Sequence, residues 1–168
     1  MFLALIQCHF DYCCSSWYSS INKGLQGKLQ IMQNKIIRYI LNLDSRAHIG
    51  VTEYERVNMF PVSDRVRQLK LSHVFKVKNG LCPEYMKDNF NLTRDIQRVY
   101  TRASRDNFFL PRVINQGVHT FYFTAVKEWN LLPTRIKELT NIDRFKISLK
   151  AHILSQLVNK ERSPYIFY

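Results

Sequence analysis

Apolar residues recur at steps of three and four along nearly the whole of this 168-residue chain, and clean two-residue alternation is rare. That period belongs to helices that bury one face. Glycine and proline, five of each, are too scarce for a β-rich or loop-rich architecture. Hydrophobic residues at 46% and charged residues at 23% give the balance of a globular chain and argue against wholesale disorder. The length allows one domain of ordinary size or two small helical subdomains. The expected fold is therefore mainly α: a bundle of about six helices with one long basic loop and at most a short strand.

The spacing predicts a first helix from Phe2 to Tyr18, apolar on most of its surface, with Gly24 separating it from the next. Leu25, Leu29, Met32, Ile36, Ile40 and Leu43 then mark an amphipathic helix. Its other face carries Gln26, Lys28, Gln30, Gln33, Asn34, Lys35 and Arg38, which suit contact with water or phosphate. Thr52 and Glu55 have capping-box spacing for a short helix through Met59. Ser63 can cap a longer helix to Asn79, with Gly80 as its C′ residue. Pro83 opens a short helix from Glu84 to Phe90. Over 91–117 the periodicity fades and a long loop is expected, a length that usually carries function. Helix resumes over Val118–Leu132, where Pro133 stops it, and a last helix runs from Ile142 to Asn159. These marks divide the chain into 1–43, 44–160 and a frayed tail at 161–168.

The charge is less ordinary. Lysine and arginine number 25 against 13 acids, a net +12 and a pI near 9.7. Residues 61–105 hold ten basic residues against four acidic, and 106–168 nine against five, so the excess is spread over helices rather than collected in a tail. Such a distribution suits a folded surface that tracks phosphates. Lys35, Arg38, Arg65, Lys70, Lys76, Arg98, Arg102, Arg105, Lys146 and Lys150 are the candidate nucleic-acid contacts. In the loop, Arg98, Tyr100, Arg102 and Arg105 precede Phe108 and Phe109. Two readings stand open there: arginines on phosphates with an aromatic stacked on a base, or phenylalanines that anchor the loop beneath solvated arginines. Lys70, Lys76 and Lys78 are likewise a solvated face or a phosphate track. Trp129 is expected to fill the core at a helix end while Asn130 supports the turn into Pro133.

Catalytic patterns are not found. Metal-dependent phosphoryl transfer needs carboxylates that converge on two cations, whereas Asp11, Asp44, Glu53, Glu55 and Asp64 are scattered among basic residues. No glycine-rich phosphate loop occurs, and His9, His48, His73, His119 and His152 lie far apart. Cys8, Cys13, Cys14 and Cys82 form no CxxC pair, so buried thiols are expected rather than a zinc site or disulfide framework. The apolar start, Met1 to Ile6, lacks a basic leader and is interrupted by Asp11 before a membrane span is complete. The chain is expected to be non-enzymatic by itself and intracellular, in nucleus or cytoplasm, with no cofactor, metal, membrane or small-molecule substrate of its own.

The order of segments carries more than any one of them. His9-Phe10-Asp11-Tyr12-Cys13 is followed by Leu29-Gln30-Ile31-Met32-Gln33-Asn34-Lys35-Ile36-Ile37-Arg38 and by Phe60-Pro61-Val62-Ser63-Asp64-Arg65. Then come Phe75-Lys76, Asn79-Gly80-Leu81-Cys82-Pro83-Glu84-Tyr85, Thr101-Arg102-Ala103-Ser104, Glu128-Trp129-Asn130-Leu131-Leu132-Pro133 and Phe145-Lys146-Ile147-Ser148-Leu149-Lys150. Over roughly residues 5 to 154 this series resembles the region downstream of the polymerase palm in LINE-type, non-long-terminal-repeat retrotransposon reverse transcriptases of the jockey-like and related clades. The resemblance implies thumb helices over 1–43, which in that family grip the template–primer duplex. It implies a C-terminal region over 44–160 that meets element RNA and target DNA. The family's two magnesium ions are held by palm aspartates, which lie upstream of the matched segments, as does its endonuclease. The cysteine–histidine zinc knuckle of some relatives is not matched.

The expectation is thus a non-catalytic C-terminal piece of an RNA-directed DNA polymerase, from a truncated, decayed or co-opted copy or a partial gene product. Its partners would be RNA or DNA, and the upstream polymerase domain. The alternative expectation is a helical protein-interaction module, or a relic whose basic surface has no dedicated partner.

Overall fold

A computed structural model describes residues 6–96, 107–110 and 112–162. The chain is all α. Its described residues form nine helices, four of them seven residues or longer, and the only β contact among them is an isolated antiparallel bridge between Leu92 and Phe108.

The expected first helix starts outside the described residues, and within them it is broken into two single turns, α1 (Cys8–Asp11) and α2 (Cys14–Trp17), by Cys13 at φ 47°. A left-handed residue cannot continue a right-handed helix. Gly24, expected as a breaker, lies inside the first turn of α3 (Lys23–Leu41). That helix starts where the Asn22 side chain accepts from the Leu25 amide at 2.8 Å, and it ends at Asn42 in the left-handed region. α4 (Val51–Arg56) is capped at Gly50, whose amide donates to the Glu53 carboxylate at 2.8 Å. This pair takes the place of the expected Thr52–Glu55 box. α5 (Val62–Lys78) follows Pro61 directly, without a Ser63 cap. Its end is as expected: Gly80 sits at φ 69° while the Leu81 amide donates back to the Lys76 carbonyl at 2.8 Å.

After Pro83 the chain makes only a 3-10 turn, Glu84–Met86, and α6 (Thr93–Ile96) is a single turn inside the expected loop. α7 (Phe121–Asn130) begins three residues late because Asn115–His119 is 3-10 and Thr120 supplies the cap. Pro133 stops α7 and starts α8 (Thr134–Lys137), a turn the periodicity does not announce. α9 (Ile142–Arg162) runs past its expected end into the predicted tail. Its start is set by Asn141, whose side chain accepts from the amides of Asp143 and Arg144.

α5 is the hub and packs against α1, α2, α3, α7 and α9. Its inner face, Leu71, Val74, Phe75 and Val77, is 0–2% exposed. Across it lie Ala125, Val126 and Trp129 of α7 and Phe145, Leu149 and Ile153 of α9, all fully buried. Rings form a column through this core. Phe75 stacks on Phe145 at 4.2 Å, Phe145 on Trp129 at 6.0 Å, and Phe108 tilts against Trp129 at 5.9 Å. Each such side chain contributes roughly 1.5–3 kcal/mol by burial, with about 0.5–1.5 kcal/mol more per well-placed ring pair. Two smaller clusters lie to the side: Ile37, Ile49, Tyr54 and Met59 between α3 and α4, and Cys14, Val62 and Val66 between α2 and α5.

Candidate nucleic-acid interface

The candidate cations divide by what already holds them. Lys70 is 4% exposed, and its ammonium donates to the hydroxyls of Ser19 and Thr124. Burial pushes its pKa below the ordinary lysine value, which Glu128 partly offsets. It is an internal staple between the turn after α2, α5 and α7, so it is removed from the phosphate-contacting set.

Arg65 is half-buried and grips Asp11 through two bonds, 3.0 and 2.7 Å, with a third donated to Gln68. The charge that sequence alone offers to phosphate is thereby neutralised by the acid of α1. Arg38 donates to the Ala47 carbonyl at 2.8 Å and braces the turn that follows α3. Lys150 is half-buried and reaches Asn58. Lys35, Lys76 and Lys146 stand exposed on α3, α5 and α9. Arg98, Arg102 and Arg105 lie outside the described residues. The residues on either side of that stretch pair with each other: the Thr93 amide donates to Asn107 and the Phe109 amide to Asn91.

The open question at Phe108 resolves toward anchoring. Its ring is 3% exposed and packs between Phe90 and Trp129, so it cannot stack on a base. Asn130 holds its backbone on both sides: the Phe108 amide donates to Oδ1 at 3.0 Å and Nδ2 donates to the Phe108 carbonyl at 2.9 Å. Asn130 therefore acts as a one-residue strand partner, a role different from the expected support of the turn into Pro133. Lys137 is buried beneath it and donates to Asn107 and to the Asn130 carbonyl. Lys78 donates to the Lys137 carbonyl and sits 5.7 Å from the centre of the Trp129 ring. The segment Trp129-Asn130-Leu131-Leu132-Pro133 is thus a structural clamp, with Trp129 in the core as expected.

The polar face of α3 splits: Lys28 and Lys35 stand exposed as expected, whereas Gln26, Gln30, Gln33 and Asn34 are turned toward the fold. Gln33 is 1% exposed and donates to the Phe60 carbonyl at 2.9 Å, and Gln30 accepts from the Val62 amide at 3.0 Å. Tyr54 donates to Asn34 at 2.7 Å, and burial pushes its phenol up to about 12. Gln33 and Gln30 thus satisfy the Phe60 carbonyl and the Val62 amide of the turn between α4 and α5. The signal available in the sequence was that Gln26, Gln30, Gln33 and Asn34 are amides, which can be buried once paired, rather than charges.

Among the described residues the carboxylates do not converge. Glu128 pairs with Arg67 at 2.7 Å, Asp11 with Arg65, and Glu53 caps α4. Burial raises the Asp64 carboxyl above its usual range, an effect that Lys160 and Arg67 oppose. Among the described residues no group of three or more histidine, cysteine or acidic side chains could hold a metal ion, and the described acids do not fit a two-magnesium palm. All four cysteines are thiols. Cys14 is buried as expected, whereas Cys8 and Cys13 are exposed and Cys82 is half-buried. No described helix is long and apolar enough to cross a membrane. No protein-family model matches the chain, and no curated protein or solved structure is significantly similar to it.

Proposed function

We propose that this chain is a non-catalytic, C-terminal part of a LINE-type reverse transcriptase and binds RNA or DNA through its basic helical exterior, in the nucleus or the cytoplasm. Chemistry would belong to palm aspartates outside the segments that carry the resemblance. The observation that carries the binding reading is where the cationic excess lies after folding. Fourteen lysines and arginines are exposed against eight exposed acids among the described residues, spread over α3, α5, α7 and α9 and the intervening turns. A polyanion with regular charge spacing is the partner that such a surface attracts over a long interface.

Fluorescence anisotropy of the full chain with a short RNA–DNA duplex tests this. Log affinity should fall linearly with log salt, by about 0.7–0.9 for each phosphate neutralised. Replacing Lys35, Lys76 and Lys146 together with glutamine should lower that slope by about two units, because these lysines then no longer displace counterions. Replacing Arg98, Arg102 and Arg105 should weaken binding to all sequences alike. Lys70→Met should leave the slope unchanged, since Lys70 never reaches the surface. Negligible affinity of the folded chain at low salt sinks the reading.

A further inference from the structure

With its amides turned inward, α3 leaves the outer part of its apolar stripe outside, while Leu29 packs in part against the Cys14, Val62 and Val66 cluster. Leu25 is 46% exposed, Met32 54%, Tyr39 89% and Ile40 41%, with Leu29 and Ile36 half-buried between them. Leu25, Leu29, Met32, Ile36 and Tyr39 follow one another at steps of four, three, four and three. That is the a/d seam of a coiled coil, with Leu29 and Ile36 at a and Leu25, Met32 and Tyr39 at d. The e-side flank, Gln26 and Gln33, is occupied by contacts within the fold. The g-side flank is Lys28 and Lys35, one heptad apart and both exposed. Over its whole length α3 carries Lys23, Lys28, Lys35 and Arg38 and not one acid.

We infer that the α3 stripe docks an amphipathic helix of another protein whose apolar seam is flanked by acidic residues. A contiguous apolar row of this length on an otherwise charged surface marks an interaction site. The seam spacing specifies a helical occupant, because a straight partner helix presents apolar side chains at the same period. Lys28 and Lys35 specify its charge, since residues beside the seam of one helix meet those beside the seam of the other. A second copy of the chain fits poorly. Antiparallel pairing would set Lys28 and Lys35 against their own counterparts, parallel pairing would set them against Gln33 and Ile40, and two chains of net +12 repel. Phosphates gain nothing from the stripe.

The test uses the full chain and fluorescein-labelled three-heptad peptides with leucine at a and d and glutamate at e and g, beside a counterpart with lysine at e and g. The glutamate peptide should bind with a dissociation constant of roughly 10 μM or tighter, and about tenfold or more tighter than the lysine peptide. Met32→Glu with Tyr39→Glu should abolish binding at unchanged far-ultraviolet circular dichroism. Lys28→Glu with Lys35→Glu should invert the preference between the peptides. The inference is overturned if neither peptide binds, or if both bind equally. It is equally overturned if the stripe variants instead dissolve a dimer in sedimentation velocity, or abolish flotation with vesicles of phosphatidylcholine and phosphatidylserine.

Discussion

Asn130 shows how much one uncharged side chain can organise. Its carboxamide satisfies the amide and the carbonyl of Phe108 at once, across 22 residues of sequence, and so seats the Phe108 ring against Trp129. Replacing it by alanine leaves two backbone groups beside the core without partners, so Asn130→Ala should cost about 1–3 kcal/mol in chemical denaturation. Its neighbour Leu131 is 66% exposed, and Leu131→Ala should stay within about 0.5 kcal/mol. If the two variants lose equal stability, the clamp is not what holds Phe108. Lys70 makes a related point about cations. The fold uses its ammonium to join two hydroxyls, and burial makes it hold its proton less firmly, a role invisible in a sequence where it is one lysine of a basic helix.

At the scale of elements, α3 is where hydropathy and structure part. Its apolar row is correctly periodic, and reading the period as burial is the ordinary inference. The inference fails because Gln30, Gln33 and Asn34 find backbone and hydroxyl partners in α4 and the α4–α5 turn, while Leu25, Met32 and Ile40 of that row are left outside. The order of mutational costs should therefore be the reverse of what hydropathy predicts. Gln33→Leu should lose about 1–3 kcal/mol, because the Phe60 carbonyl loses its donor, whereas Met32→Gln should change stability by no more than about 0.5 kcal/mol. Equal or opposite costs in denaturant titration contradict the inward-facing arrangement. Elsewhere the punctuation was legible: Gly80 behind α5, Pro133 behind α7 and the long helices themselves follow from local rules. The break at Cys13, the cap at Gly50 and the turn of α8 were not. They depend on one left-handed residue, on a carboxylate two positions from the expected one, and on a proline that starts a helix as readily as it stops one.

At the scale of the whole molecule, the surplus of positive charge and the placement of the histidines act together in acid. His73 lies edge-on to Phe121, with its pKa pushed below 6.5 by burial first and by Lys76 second. His152 is lowered by burial, then by Arg67 and Arg135. A lowered imidazole binds fewer protons in the folded chain than in the unfolded one. Stability is therefore full above about pH 6.5 and is lost as pH falls through the window beneath it. Asp64 works with the opposite sign, since burial raises its carboxyl above 3.8 and acid relieves the cost of a desolvated charge. The Asp64→Asn background removes that opposing contribution. In it, the melting temperature should drop between about pH 7.5 and pH 5.5, while His73→Gln with His152→Gln in the same background should drop less. Moderate salt should recover part of the remaining loss by screening a net charge of +12. If the histidine pair changes nothing in that window, acid sensitivity belongs to surface repulsion alone, and salt should then abolish it.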